Sequence, residues 1–120
     1  MAKKSFTSWA NTTEQTVYAG ACRVTRVDAY PHASQAAEVY IDFWDNADPT
    51  PGTTDTKMVL PIGTATIQGA RRKTTYIFPG GGIRFATACT IFCATSPENA
   101  TAPTTTSLPP LIDVFYTTGN

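Results

Sequence analysis

The stretch TTYIFPGGGIRF, residues 74–85, places a proline and three glycines between two segments rich in β-branched and aromatic residues. Such residues favour strands. A phosphate-binding glycine loop leads into a helix whose free N–H groups face the anion, usually with a lysine and a serine or threonine following. Here PGGG leads into the strand-like IRF instead. The stretch therefore predicts two strands and a turn whose glycines adopt positive φ angles.

The same strand pattern recurs along the chain. AEVYIDFW (37–44) alternates, with Val39, Ile41 and Phe43 on one face. Further strands are predicted at 56–63 and 74–79, centrally at 83–96, at 111–118, and at 16–30 as one long strand or a bulged pair with Gly20 as the bulge. Short antiparallel strands at this spacing predict one all-β domain, a jelly-roll-like β-sandwich over 16–120.

The first fifteen residues differ from the rest because they are polar, with only Phe6 and Trp9 as isolated aromatics. We interpret 1–15 as an extended N-terminal arm whose two aromatics dock on the domain or on a neighbour. No apolar run follows the early lysines, so this segment does not read as a secretory signal. We expect a protein made in a cytoplasm.

Size and charge limit the classes of function. The chain has 120 residues, a formal net charge of +0 and 15% charged residues, whereas an average domain has about 25%. This balance favours neither a nucleic-acid partner nor an acidic solvating tail. No segment approaches the roughly 20 apolar residues that span a bilayer. We expect one domain with neither nucleic-acid nor membrane partners.

Residues for catalysis or metal binding are few. The single histidine, His32, lies in a turn-like stretch without an evident nucleophile and orienting group. The three cysteines, Cys22, Cys89 and Cys93, read as buried small hydrophobic residues. In a strand, Cys89 and Cys93 lie about 13 Å apart, too far to share one zinc ion, while a disulfide from Cys22 to either stays possible. We expect no enzyme, cofactor or metal.

Two oppositely charged loops form the predicted contact surface. The loop at 45–55 carries Asp45, Asp48 and Asp55; with Asp42, a calcium site is conceivable, but its ligand spacing is missing. The basic cluster comprises Arg71, Arg72 and Lys73. If strands 37–44 and 56–63 pair antiparallel, these loops lie at opposite ends of a sheet. Complementary ends of this kind can join copies of a chain or attach them to a lattice.

Tyr40 and Trp44 form a separate candidate site, because both lie on the second face of strand 37–44. On an exposed sheet face they could stack on sugar rings, whereas a second sheet packed there would make them core residues. Both interpretations remain open from the sequence.

The run from VYIDFWDNADPTPGTTDTKMVLPI to YIFPGGGIRFATACTIFCATS resembles a small β-sandwich of tailed-bacteriophage virion proteins. The motifs that carry the resemblance are an aromatic-bearing strand, a D…A.PT.GT loop, a proline in the next strand and an FPGG(I)RF.T turn, within residues 37–96. That family includes head decoration, fibre and tail-associated proteins. The resemblance implies a non-enzymatic virion component that forms homo-oligomers.

Two functions follow as expectations. The first is a capsid decoration or cement protein, assembled in the host cytoplasm, that binds the major capsid protein or other virion proteins through Phe6, Trp9 and the charged loops. The second is a tail or fibre module that binds host glycans through Tyr40, Trp44 and the 45–55 loop. An exposed Trp44 would favour the second function.

Overall fold

The computed structural model describes residues 2–6, 14–31, 39–50, 52–62, 73–94 and 111–118, and all structural statements below concern these residues. They form strands and connections without a helix, so none of them belongs to a helix that could cross a membrane. The nine strands of this part of the chain are β1 (Ala2–Phe6), β2 (Gln15–Tyr18), β3 (Cys22–Tyr30), β4 (Tyr40–Asp45), β5 (Met58–Pro61), β6 (Thr74–Ile77), β7 (Ile83–Phe85), β8 (Cys89–Ala94) and β9 (Leu111–Thr118).

The strands form two antiparallel sheets that pack together. The first sheet has the order β1-β9-β3-β6, with β7 also paired to β3, and the second has the order β2-β8-β4-β5. The all-β sandwich predicted from the strand pattern is confirmed. The pairing of β4 with β5 is antiparallel, which is the condition for the acidic and basic loops to lie at opposite ends of a sheet. Strand β8 lies centrally in its sheet, as predicted for its segment.

The core lies between the sheets and is built from the inward face of each strand. In β4, Ile41 and Phe43 are fully buried in it, so the alternation predicted for this strand is confirmed. The Phe43 ring lies 6.2 Å from that of Phe85 on the opposite sheet. Contacts of this kind hold the two sheets together, because burial of an aromatic side chain stabilises the folded state by about 2–3 kcal/mol.

Two segments, one predicted as a long strand or a bulged pair and the other as a single strand, are divided between the sheets. The segment predicted at 16–30 contains β2 of the second sheet and β3 of the first, and the segment predicted at 83–96 contains β7 of the first sheet and β8 of the second. Gly20, predicted as a bulge, lies in the first crossing, and Ala86–Ala88 form the second. Both crossings are made of small residues, which permit the sharp bend at a sandwich corner. In β3, the shift in pairing register lies between Val24 and Arg26 and not at Gly20.

The three glycines adopt the positive φ angles that the sequence predicts, with 72° at Gly80, 88° at Gly81 and 98° at Gly82. The chain direction is not reversed, however, because β6 and β7 both pair antiparallel with β3. Residues 79–82 therefore leave and rejoin one edge of the sheet. A Cβ atom on Gly82 would lie 2.5 Å from the carbonyl oxygen of Val24, so this position requires glycine for space as well as for φ.

The start of the chain is part of the sandwich. Residues Ala2–Phe6 pair with β9 at the edge of the first sheet, and the Phe6 side chain, 4% exposed, lies in the core. The sequence predicted that Phe6 docks either on the domain or on a neighbouring protein, and the structure shows that it docks on the domain. Phe6 is thus corrected from a candidate partner contact to a core residue, and residues 2–6 are not a free arm.

Candidate functional site

The predicted acidic loop begins with Asp45, at the end of β4, whose carboxylate faces the second crossing. It accepts backbone N–H bonds from Ala86 at 2.9 Å, Thr87 at 2.8 Å and Ala88 at 3.3 Å. Burial raises the pKa of Asp45, but the three N–H groups lower it by more, so the net pKa lies below its ordinary value. The structure thus gives Asp45 a role in the fold and does not present it as a free partner contact.

The other two carboxylates of the loop face solvent. Asp48 and Asp55 are both exposed. The backbone N–H of Asp48 donates to Oδ1 of Asn46 at 2.7 Å, which stabilises the turn by a side-chain bond typical of asparagine. Both side chains lie at the surface, and their predicted contact with a partner stays a prediction. Among the described residues, no group of three or more histidine, cysteine, aspartate or glutamate side chains could hold a metal ion.

Trp44 is the main correction to the predicted glycan site. Its side chain is 0% exposed and packs against Phe92, with ring centroids 6.2 Å apart. Its Nε1–H donates to the carbonyl oxygen of Thr54 at 2.9 Å, and Thr90 donates to the carbonyl of Asn46 at 2.7 Å. Residues 46–50 and 52–57 therefore fold over the outer face of the second sheet. Trp44 cannot stack on a sugar, and Tyr40, half-buried on the same face, loses its aromatic partner.

The predicted basic cluster is described only at its last residue. Lys73 is exposed, and the hydroxyl of the next residue, Thr74, donates to the carbonyl of Ile62 at 2.8 Å. Lys73 thus lies beyond the end of β5 that is remote from the acidic loop. This position agrees with the prediction that the acidic and basic loops lie at opposite ends of a sheet. Arg71, Arg72 and Trp9 lie outside the described residues, so their predicted roles stay predictions.

The cysteines are all free thiols buried in the core. Cys22 and Cys89 interact directly across the two sheets: a hydrogen bond between the thiols lowers the pKa of Cys22 and, together with burial, raises that of Cys89. Burial, with the charge of Asp42, raises the pKa of Cys93. Burial and raised pKa make Cys89 and Cys93 poor nucleophiles at neutral pH.

A surface that the sequence analysis missed lies on the outer face of the first sheet. Pairing between β3 and β7 places Arg23 directly opposite Arg84. A row across four strands contains Lys3, Phe115, Arg26 and Ile77. The alternation of CRVTRVDAY already put Arg23 on the face opposite Cys22 and Val24, but only the strand pairing shows which residues join it.

Comparison of the chain with protein-family models, with curated proteins and with solved structures finds no match.

Proposed function

We propose that this protein is a non-enzymatic structural component of a bacteriophage particle, a decoration protein that binds the capsid surface and neighbouring copies. The observation that carries the proposal is the set of loop motifs in residues 37–96, which resemble those of small β-sandwich virion proteins. The antiparallel sandwich is compatible with that resemblance. The proposal assigns the protein a surface-binding role and no chemistry.

The contacts that the motif residues make within the domain support a structural role. The D…A.PT.GT loop is attached to its own sheet through Trp44 and Thr54, and its first aspartate orients the 86–88 crossing. Gly82 of the FPGGG turn packs against the backbone of β3. These residues stabilise a compact carrier of surface loops, which is what a protein that coats a lattice requires.

The glycan-binding alternative loses its best residue because Trp44 is buried. Aromatic side chains must be exposed to stack on a sugar, whereas in β4 Tyr40 is half-buried and Trp44 is buried. We therefore propose only the decoration function.

Immunogold electron microscopy with an antibody to this protein, on particles from its source, tests the proposal. Label distributed over heads is expected. Label restricted to tails or tail tips would replace decoration by adhesion, and unlabelled particles would refute a virion role. A Trp9→Ala variant, mixed with undecorated heads, then tests the remaining predicted aromatic contact: reduced occupancy is expected, and unchanged occupancy would exclude Trp9.

A further inference from the structure

The outer face of the first sheet carries an excess of positive charge in a chain that is neutral overall. We name it the basic face and define it by the residues Lys3, Arg23, Arg26, Ile77, Arg84 and Phe115. Two carboxylates share this face, those of Asp28 and Asp113, and both already accept bonds within the domain. The face therefore presents four basic groups and few free acceptors.

Internal bonds account for the two carboxylates in detail. Asp28 accepts from Nε and Nη2 of Arg26, each at 2.9 Å, and from the hydroxyl of Thr75 at 3.0 Å. The Asp113 carboxylate accepts from the hydroxyl of Ser5 at 2.7 Å. Among the described residues, Arg26 makes the single ion pair of this face. The charges of Lys3, Arg23 and Arg84 are not neutralised by it.

The arginine pair is the most informative part of the basic face. Arg23 and Arg84 lie directly opposite one another on neighbouring strands, and like charges in that position destabilise a sheet. The flanking residues Cys22, Val24 and Phe85 fill the core, so Arg23 and Arg84, which alternate with them, lie on the outer face. The fold does not require arginine at either position. A carboxylate bound between the two forks would turn the repulsion into two charge-assisted bonds.

Apolar groups next to the arginines indicate what kind of anion fits. The Phe115 ring lies between two cations, with Nζ of Lys3 6.0 Å and Cζ of Arg26 5.3 Å from its centroid. Ile77, at the end of the same row, is 70% exposed. A polypeptide offers separate carboxylates with apolar side chains between them. A nucleic acid backbone offers continuous phosphate and no aliphatic side chains for Phe115 and Ile77 to contact.

We propose that the basic face docks an acidic polypeptide, with one of its carboxylates held between Arg23 and Arg84 and an apolar side chain against Phe115 and Ile77. The assignment of this polypeptide to a capsid subunit rests on the proposed function. The preference of the face for an acidic polypeptide is independent of that function. Four strands at about 4.8 Å spacing and about 20 Å of strand length give a face of about 400 Å². This is half a standard interface per partner, so each contact is weak and an array of copies supplies the avidity.

A titration of isotope-labelled protein with a synthetic peptide of alternating glutamate and valine tests the docking without any particle. We expect amide shifts concentrated on β3, β7 and β9. The R23Q/R84Q variant should bind about three- to tenfold more weakly, as expected for exposed ion pairs. The matched control K4Q/K57Q removes the same charge from exposed positions outside the basic face and should bind within twofold of the unmodified protein.

A second measurement separates binding from folding. Because R23Q/R84Q removes a like-charge pair, its melting temperature should rise by about 1–4 °C in the absence of peptide. Shifts located elsewhere, equal weakening in both variants, or a lower melting temperature of R23Q/R84Q would overturn the proposal. Tighter binding of single-stranded DNA or a sulfated polysaccharide than of the peptide would also overturn it. A negative particle-labelling result with a positive titration would refute the capsid location alone.

Discussion

Replacement of Asp45 tests whether this carboxylate holds the second crossing of the chain between the sheets. In Asp45→Ala, all three N–H bonds from Ala86, Thr87 and Ala88 are lost. A hydrogen bond to a charged group contributes about 1.5–3 kcal/mol. The Ala86 and Thr87 bonds are exposed, so water replaces part of what is lost. We therefore expect the free energy of unfolding to fall by about 1.5–3 kcal/mol in total, the value of one full bond rather than three.

Acid should remove the same contribution. The net pKa of Asp45 is lowered in the folded state despite its burial, because the N–H bonds favour the charged form. Its stabilising effect is therefore complete above the unfolded pKa of about 3.9 and is lost as the pH falls through the lower folded pKa. The difference in stability between the unmodified protein and Asp45→Ala should be largest at neutral pH and shrink below about pH 4.

Urea unfolding followed by far-ultraviolet circular dichroism measures the effect. The expected loss lowers the midpoint by about 1–2 M urea for a domain of this size. Asp48→Asn is the matched control, because it removes an exposed carboxylate from the same loop and should change stability by no more than about 0.5 kcal/mol. Equal midpoints for Asp45→Ala and Asp48→Asn at pH 7 would refute the assignment of Asp45 to the fold.

Three further predictions concern the turn, the first strand and the thiols. Gly82→Ala should destabilise the domain far more than Gly81→Ala, because a Cβ at position 82 would lie 2.5 Å from a backbone oxygen. A Cβ at position 81 has open space around it, so Gly81→Ala carries only the cost of a positive φ, about 1–2 kcal/mol. Equal thermal midpoints of the two variants would contradict this. Phe6→Ala should cost about 3–5 kcal/mol in urea unfolding because the side chain is buried, and a loss below 1 kcal/mol would restore the free-arm interpretation. All three thiols should resist a thiol reagent in the native protein and react in denaturant; after oxidation, peptide mapping should find Cys22 joined to Cys89, and a different pair would contradict the contact between these two thiols.

The strands could be predicted from the sequence, but the places where the chain changes sheet could not. The segment Ala19–Gly20–Ala21 keeps the alternation around it intact, so a continuing strand with a bulge and a crossing between sheets look alike in sequence. The choice depends on pairing with β8 and β9, which follow much later in the chain. The strand pattern is local, whereas the topology is set by distant partners.

The candidate site was predictable to a smaller extent for the same reason. The outward position of Trp44 followed from alternation, but its burial depends on a loop carbonyl ten residues later. Arg23 and Arg84 are far apart in the sequence and become neighbours through the β3–β7 pairing alone. Asp45 looked like any other loop carboxylate because its bonding partners are amides of the 86–88 crossing, more than forty residues further on.

The position of β1 at the edge of the first sheet has a consequence for a protein present at high local concentration. An edge strand exposes unpaired N–H and C=O groups that invite a second chain to pair with it and start a fibril. Two β1 edges that met in this way would bring Lys3 and Lys4 of one chain close to the same residues of the other, and both lysines are exposed. The repulsion between them opposes aggregation through this edge without blocking specific contacts on the basic face.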